Sequence, residues 1–185
     1  GLSYSDGGIK YQLYNGSGTV GSATPGVDGV LDFGLEMAAG VYTVLATDST
    51  TFCVSNMSGS AVVTVNPLPA QYTVTGGGTM CAGDPGFHIN LSHSDGGIYY
   101  QLYKGVTPVG SPLPGNSSVL DFGLHATAGT YTVLATDTAT SCTSAMTGSA
   151  LVSVNPLPAS YSVTGGGAYC NGGPGVHVGL SSSDT

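Results

Sequence analysis

Few side chains in this sequence are of the types that carry out acid–base or nucleophilic chemistry. The 185 residues include 10 acidic, 2 basic and 4 histidine side chains. Glu36 is the only glutamate, and His125 takes its place in a second copy of the surrounding motif. A glycosidase pair of carboxylates would therefore need aspartates from different loops. His88 and His177 lie near serines that occur throughout, so a Ser-His-Asp triad has little support. We expect a protein that is not an enzyme.

A Ser-Asp-Gly-Gly motif occurs at residues 5–8 and again at 94–97. Its aspartates, Asp6 and Asp95, are candidate ligands for calcium. Calcium binds about six to eight oxygen atoms, usually with several carboxylates converging. One aspartate per loop supplies few of these ligands, and a tight turn explains Asp-Gly-Gly equally well. Calcium is the one cofactor that these residues suggest.

The four cysteines, Cys53, Cys81, Cys142 and Cys170, are even in number and widely spaced. Because no CxxC motif occurs, zinc ribbons and thioredoxin-type redox sites are not indicated. Such cysteines in a chain rich in Gly, Ser and Thr favour an oxidising, extracellular setting. We favour a Cys81–Cys142 bond within one repeat, with Cys53 and Cys170 pairing outside this sequence. Strand directions count against it, and Cys53–Cys81 with Cys142–Cys170 is the alternative.

The composition excludes several classes of partner. Charged residues make up 6% of the chain, and the net charge is −8 with an isoelectric point near 4.3. With only Lys10 and Lys104 as basic residues, the chain cannot neutralise a run of nucleic-acid phosphates or anionic lipids. Neutral polar ligands, divalent cations and other proteins remain open. There is no long apolar run for membrane insertion, no signal peptide and no initiating Met. We expect a piece of a longer protein.

The sequence repeats itself along its length. The motif LDFGL occurs at residues 31–35 and at 120–124, and 120 − 31 gives a period of 89 residues. YQLY, YTVLATD and GSA recur at the same offset without a gap. Self-similarity at a fixed period is the mark of a tandem array of one structural unit.

Short alternating runs within one repeat predict an all-β fold. Tyr42 and Tyr131 each follow Ala-Gly-x before a strand, where immunoglobulin-like sandwiches place a tyrosine corner. Many short strands separated by turns are typical of such a sandwich. We therefore predict tandem immunoglobulin-like β-sandwich domains arranged head to tail. In the central copy the strands are predicted at 71–75, 87–92, 98–104, 107–110, 118–123, 130–137 and 148–155.

Proline and glycine mark the joints between the repeats. Asn-Pro-Leu-Pro follows the last strand of a repeat, and prolines end the sheet and stiffen the connection. Glycines 76–78 permit a bend or bulge after the first strand. The domains are then a partial repeat at 1–66, a complete one at 67–155 and the beginning of another at 156–185. The partial repeat lacks its first strand and most or all of its second, which 156–185 would supply if joined end to end. We expect this sequence to be part of a longer array or of a continuous polymer.

Several motifs together resemble a known family. They are YSVTGGGAYCNGGPGVHVGLSSSD at 161–184 and, in the preceding copy, GGIYYQLYKG, LDFG, AGTYTVLATD, SCTSAMTGSA and VSVNPLP. They are similar to the immunoglobulin-like tandem repeats of very large Bacteroidota surface proteins, which use type IX secretion and include gliding-type adhesins. The resemblance covers essentially the whole chain. It implies a non-catalytic, extracellular structural or adhesive repeat that forms a stalk or filament on the cell surface.

The same resemblance suggests sites of modification. Bacteria of this group O-glycosylate Asp-Ser/Thr followed by a small or apolar residue, and Asp-Ser-Thr at 48–50 and Asp-Thr-Ala at 137–139 resemble that motif. Ser49 and Thr138 would be the acceptors. The alternative is an aspartate that caps a turn.

The partners expected are neighbouring copies of the same repeat or chain, in a filament or array. A surface polysaccharide is a second candidate, because Tyr14, Tyr99 and Tyr103 on an outer face could stack on sugar rings. The alternative function is thus a carbohydrate-binding immunoglobulin-like module of a secreted multidomain enzyme.

Overall fold

The computed structural model describes residues 1–183, and every regular element in that range is a β-strand. The expected all-β fold is confirmed, with several sheets in a sandwich-like arrangement. Valine, threonine and tyrosine fill the strands, since β-branched and aromatic side chains suit a pleated, half-buried surface. No helix in the described range could cross a membrane. The chain divides into a first compact unit, Gly1–Pro67, and a second that begins at Leu68.

The first unit contains seven strands in two sheets. The smaller sheet pairs β1 with β4, and Leu2 lies opposite Leu31. The larger sheet has the order β3-β2-β5-β6, with β7 also paired to β5. The strands are β1 (Leu2–Ser5), β2 (Ile9–Asn15), β3 (Gly18–Pro25), β4 (Gly29–Leu31), β5 (Gly40–Asp48), β6 (Val54–Asn56) and β7 (Ala61–Val63).

The second unit has larger sheets. One has the order β13-β10-β8, and the other has the order β12-β11-β14-β16-β9, with β15 also paired to β14. A separate pair, β17 and β18, lies near the end of the described chain. The strands are β8 (Val74–Gly76), β9 (Gly78–Cys81), β10 (Phe87–Leu91), β11 (Ile98–Lys104), β12 (Thr107–Pro114), β13 (Leu120–His125), β14 (Gly129–Asp137), β15 (Thr143–Ala145), β16 (Ala150–Asn155), β17 (Val163–Gly165) and β18 (Val178–Leu180).

Both sheets of the second unit contribute to one buried core. In β11, Ile98, Tyr100 and Leu102 are buried while Tyr99 between them is exposed, which confirms the predicted alternation. The opposing sheet contributes residues such as Leu91. Each large apolar side chain buried in this way contributes roughly 1.5–3 kcal/mol. The most deeply buried large side chains of this core are Tyr100, Tyr131, Ile89, Leu91, Leu102 and Val152.

The three glycines at 76–78 transfer the chain from one sheet to the other. They join β8, in the smaller sheet, to β9, which pairs in parallel with β16 in the larger sheet. Gly76 and Gly77 have φ values of 103° and 80°. A Cβ at Gly76 would overlap the carbonyl oxygen of His88. The bend predicted here is therefore present, and its φ angles and close contacts require glycine.

Several strand boundaries differ from those predicted. Strand β12 continues to Pro114 instead of ending at 110, because the β11–β12 ladder shifts register between Tyr100 and Leu102. Gly110 takes a φ of 66° at this bulge, and the Gln101 side-chain amide donates to the carbonyl oxygens of Val109 (3.1 Å) and Gly110 (3.3 Å). Two short strands, β9 with four residues and β15 with three, were not predicted from the sequence.

Both predicted tyrosine corners have the expected hydroxyl bond. Tyr42 donates to the carbonyl oxygen of Ala38 at 2.8 Å, and Tyr131 donates to that of Thr127 at 2.9 Å. Both rings are buried. Burial raises the pKa of the Tyr131 hydroxyl above its ordinary value, while the bond to Thr127 partly opposes that rise. Each tyrosine thus links the segment before it to the core, because its ring is buried and its hydroxyl donates to a carbonyl oxygen of that segment.

Replacing Tyr131 with Phe should lower the free energy of unfolding by about 1 kcal/mol, because the ring still packs but the Thr127 carbonyl loses its donor. Urea denaturation followed by circular dichroism measures the change. Tyr99→Phe is the matched control, since Tyr99 is exposed on the same sheet. Equal effects of the two substitutions would contradict a role for the hydroxyl bond.

Candidate interaction site in the first unit

Two cavities open in the first unit, with volumes of about 250 and about 330 Å³. The smaller is lined by apolar and polar groups, mainly of β1, β5 and the segment before β7, including Leu2, Val44 and Ser58. The larger lies beside Tyr4 and Asp6. Met57 lines both cavities, so we treat them together as the β1 groove.

In the second unit, the place that corresponds to the smaller cavity is filled. Gly148, which lies 89 residues after Gly59, would place a Cβ 3.5 Å from the Val74 carbonyl oxygen and 3.7 Å from Thr73 Cγ2. A Cβ at Gly59 would meet nothing within 4 Å. The difference arises because the chain from 71 to 81, which we call the sealing segment, passes through the second unit at this place.

Backbone hydrogen bonds hold the sealing segment on both sides. The amide of Val74 donates to the carbonyl oxygen of Thr147, and the amide of Thr147 donates to that of Tyr72, both at 2.9 Å. Strand β8 pairs with β10, and β9 pairs with β16. In the first unit, β1 pairs only with β4, and Leu2, the counterpart of Leu91, has no strand on the side that β8 takes in the second unit. An open edge presents unpaired N–H and C=O groups to another strand.

Tyr72 of the sealing segment occupies the place that corresponds to the larger cavity. Its hydroxyl donates to Asp95 Oδ1 at 2.8 Å, and its ring lies edge-on to His93 with centroids 5.0 Å apart. The hydrogen bond to the Asp95 carboxylate raises the pKa of Tyr72 above its ordinary value. Asp6 and Tyr4, at the positions of Asp95 and His93, line the open cavity of the first unit.

Burial differs between the two units where the sealing segment packs. Val133 and Ala150 are 2% and 1% exposed in the second unit. Their counterparts in the first unit are a half-buried Val44 and an exposed Ala61. The buried cluster of the first unit contains only Tyr11, Leu31 and Ala46. Within the given sequence, the first unit thus buries fewer apolar side chains than the second unit.

The chain after 156 contains strands that pack against no core. Strands β17 and β18 pair in the register of β8 and β10, with Val163 opposite Leu180 as Val74 is opposite Leu91. Every residue of both strands is exposed. Val163 is 72% exposed, whereas Val74 is 4% exposed. Such an isolated pair of strands is at best marginally stable in water.

The predicted calcium ligands do not converge with other ligands. The Asp95 carboxylate accepts the Tyr72 hydroxyl, and the turn hypothesis has support because Gly97 has a φ of 82° two residues later. Near Asp6, Asp28 Oδ1 accepts the backbone amide of Gly7 at 2.6 Å. Across residues 1–183, no group of three or more His, Cys, Asp or Glu side chains could hold a metal ion. Calcium binding stays a prediction.

The Cys81–Cys142 bond is not formed, and the strand register explains why. All four cysteines are free. Cys81 lies opposite Asn155, the last residue of β16. Because β16 runs antiparallel to β14 and pairs with its first residues, Cys81 lies near the level at which β14 begins. The carbonyl oxygen of Cys142 accepts a hydrogen bond from the Asp137 amide at the end of β14. The nine residues of β14 separate the two by roughly 25 Å or more, against about 4–7 Å between the Cα atoms of a disulfide.

Ser49 and Thr138 both lie in exposed turns, where a modifying enzyme could reach them. Each follows an aspartate that caps the turn, as the alternative hypothesis predicts. Asp48 Oδ1 accepts the amides of Thr50 (2.7 Å) and Thr51 (2.9 Å). These bonds, that from Thr51 first, hold the pKa of Asp48 below its ordinary value. The Thr138 hydroxyl donates to the Gly97 carbonyl oxygen at 2.9 Å.

The tyrosines proposed for sugar stacking are only partly available. Tyr99 is 44% exposed, whereas Tyr14 and Tyr103 are half-buried. Tyr99 and Tyr103 point to the same face of β11 but are separated by four positions along the strand. Roughly 13 Å of strand therefore lies between them. The arrangement does not form a single aromatic platform.

A histidine and an aspartate on two neighbouring strands form a hydrogen-bonded pair that the sequence did not predict, and the pair is ionic when the histidine is protonated. His88 Nδ1 lies 2.7 Å from Asp121 Oδ2, and Asp121 Oδ1 accepts the Gly123 amide at 2.8 Å. The bond to His88, then that from Gly123, holds the pKa of Asp121 below its ordinary value. Both side chains are about half exposed, so solvent screens the pair. Its counterparts at an offset of 89 are His177 and Asp32.

Asp121→Asn should lower stability near neutral pH by at most about 1 kcal/mol, because an exposed pair contributes little. The lowered pKa means that the ionised carboxylate stabilises the fold above about pH 4, its unfolded value, and that this contribution disappears as pH falls through the folded pKa. Urea unfolding of both proteins from pH 7 to pH 2.5 should give midpoints that converge in acid. A constant difference would contradict the pairing.

Compared with known proteins, the chain matches no protein-family model and no curated protein at a significant level.

Proposed function

We propose that this chain is a structural repeat protein whose tandem immunoglobulin-like sandwiches form a stalk or filament outside the cell. The observation that carries the proposal is the recurrence of strands at an offset of 89 residues. Strands β2, β3, β5 and β6 have counterparts of the same length in β11, β12, β14 and β15. Their registers also correspond, with Ile9 opposite Asp48 as Ile98 is opposite Asp137.

Repetition of a whole unit favours a mechanical role over a catalytic one. An array adds length with each copy, whereas an active site needs a particular set of groups at one place. The copies share much of their strand sequence but differ at several charged or titratable positions, as Glu36 and His125 show. The similarity to Bacteroidota surface repeats, exported by type IX secretion, adds an extracellular, adhesive setting to this proposal. Neighbouring copies are then the principal partners.

The alternative, a carbohydrate-binding module of a secreted enzyme, rests on Tyr14, Tyr99 and Tyr103. Affinity electrophoresis of the chain through gels containing neutral and acidic polysaccharides separates the two functions. We expect unchanged mobility, because the tyrosines offer no shared platform. Retardation that Tyr99→Ala abolishes would favour the binding module and overturn the structural role.

The native chain should resist trypsin, as suits an exposed fibre. Its basic residues are Lys10 and Lys104. Lys10 pairs with Pro25 on one side and Thr47 on the other, and Lys104 is likewise paired on both sides. Cleavage therefore requires local opening of a ladder.

Mass spectrometry after digestion tests this prediction. We expect an intact native chain and three fragments from the urea-unfolded chain. Chymotrypsin is the control, because Phe52 is 77% exposed in a turn and should be cut in the native protein. Rapid native cleavage at Lys10 would show that the first unit opens readily.

A further inference from the structure

We propose that the outer face of the larger sheet in the second unit binds the same face of a second copy of this chain. We call this surface the neutral face. It consists of the odd-numbered positions of β9, β11, β15 and β16, the even-numbered positions of β14 and the prolines of β12. The choice of a second copy rests on the proposed function, in which copies are the principal partners. A stalk of single chains does not require this contact.

Alternation along the strands defines the neutral face. In β14 the buried side chains alternate with less buried ones, and Thr132 is an exposed member of the second set. The ladder registers carry the pattern across the sheet, with Tyr99 opposite Thr136 and Leu151 opposite Thr130 on the outside. Every strand of this sheet lies within residues 78–155, so the neutral face is complete within the second unit.

The neutral face carries no charged side chain among the described residues, although the net charge of the chain is −8. Asp84 and Asp95 lie in loops, and Asp121 lies on the opposite sheet. Lys104 and Asp137 are the last residues of β11 and β14, at the margins of the face. Like charges that meet across an interface oppose association. Two acidic chains therefore approach with least repulsion through their neutral faces.

Apolar groups on the neutral face supply a driving force for the contact. Leu151 is 58% exposed and Tyr99 is 44% exposed. Two sheets that pack face to face interdigitate such side chains and remove them from water. The outer side of the smaller sheet instead presents the half-exposed His88 and Asp121. Of the two outer surfaces of this unit, the neutral face is thus the one suited to a second copy.

The size of the neutral face suits a weak contact. Its five strands, spaced by about 4.8 Å, and the seven residues of β11, rising about 3.4 Å each, span roughly 20 by 24 Å. Contact between two such faces buries about 1,000 Å² in total, near the lower limit for a specific interface. The same patch on both copies gives the self-complementary contact of a two-fold dimer. We therefore expect a reversible dimer of single chains, which an array would strengthen through multivalency.

The first unit supplies a natural variant of this face. Lys10 lies 89 residues before Tyr99 and pairs with Thr47 as Tyr99 pairs with Thr136. Lysine at this position is therefore compatible with the strand ladder. On the neutral face it would place an ammonium group where the second unit has an uncharged ring, and burial of an unpaired charge is costly. Tyr99→Lys thus changes the face and leaves the sheet intact.

Sedimentation velocity of the 185-residue chain tests the contact, in reducing buffer because the cysteines are free. A weak contact calls for concentrations up to about 1 mM, where we expect a reversible dimer. Tyr99→Lys should raise the dissociation constant at least about tenfold, because the lysine must lose water on burial. Val119→Lys is the matched control, since Val119 is 58% exposed before β13, outside the face. It adds the same charge and should leave the dissociation constant unchanged.

A monomer at every concentration would overturn this inference and leave the stalk proposal intact. Equal effects of the two lysine substitutions would overturn it as well, because the dimer would then use another surface. Raising NaCl from about 50 to about 500 mM should keep or strengthen the dimer, since salt screens repulsion between the acidic remainders of the two chains. Weakening by salt would show an ionic contact and would contradict the neutral face.

Hydroxyl-radical labelling locates the contact in the unmodified protein, so its result does not depend on whether a variant folds. We expect Tyr99 and Leu151 to lose labelling as the concentration rises and the dimer forms. Val119 and Leu124, which are exposed outside the neutral face, should keep theirs. Protection of Val119 and Leu124 with continued labelling of Tyr99 and Leu151 would overturn the proposal.

Discussion

Closure of the apolar interior by the segment from 71 to 81 is the constraint on which the rest of the second unit depends. This segment contributes to both sheets, since β8 pairs with β10 and β9 pairs with β16. Val74 and Met80 bring apolar side chains to the core from these two strands. The given sequence has no counterpart of this segment for the first unit, where Val44 and Ala61 are more exposed than Val133 and Ala150 of the second unit.

Much of this architecture could be predicted from local patterns. The alternation in Ile98–Lys104 indicated which side chains point inward, because residues two apart on a strand share a face. The Ala-Gly-x-Tyr motif placed both tyrosine corners, and three successive glycines marked the change of sheet. Each of these signals lies within a few neighbouring residues.

Features that depend on register between distant strands could not be predicted. The parallel pairing of β9 with β16 joins residues more than 70 positions apart, and Gly78–Cys81 is too short to give a pattern of its own. His88 lies opposite Leu124 and Asn90 lies opposite Asp121, so the contact between His88 and Asp121 crosses the ladder diagonally at a register shift that no local pattern reveals. The predicted Cys81–Cys142 bond was wrong for the same reason. The position of Cys81 depends on the pairing of β9 with β16, which follows the three glycines.

The parallel pairing of β9 with β16 also determines how the second unit responds to tension. Strand β9 lies near the beginning of this unit, and β16 is the last strand of its larger sheet along the chain. A pull on the two flanking segments would draw the parallel strands lengthwise past each other. The hydrogen bonds between Gly78–Cys81 and Val152–Asn155 would then be loaded in shear and would have to break together instead of one by one. The same short ladder that seals the core would thus act as a mechanical clamp.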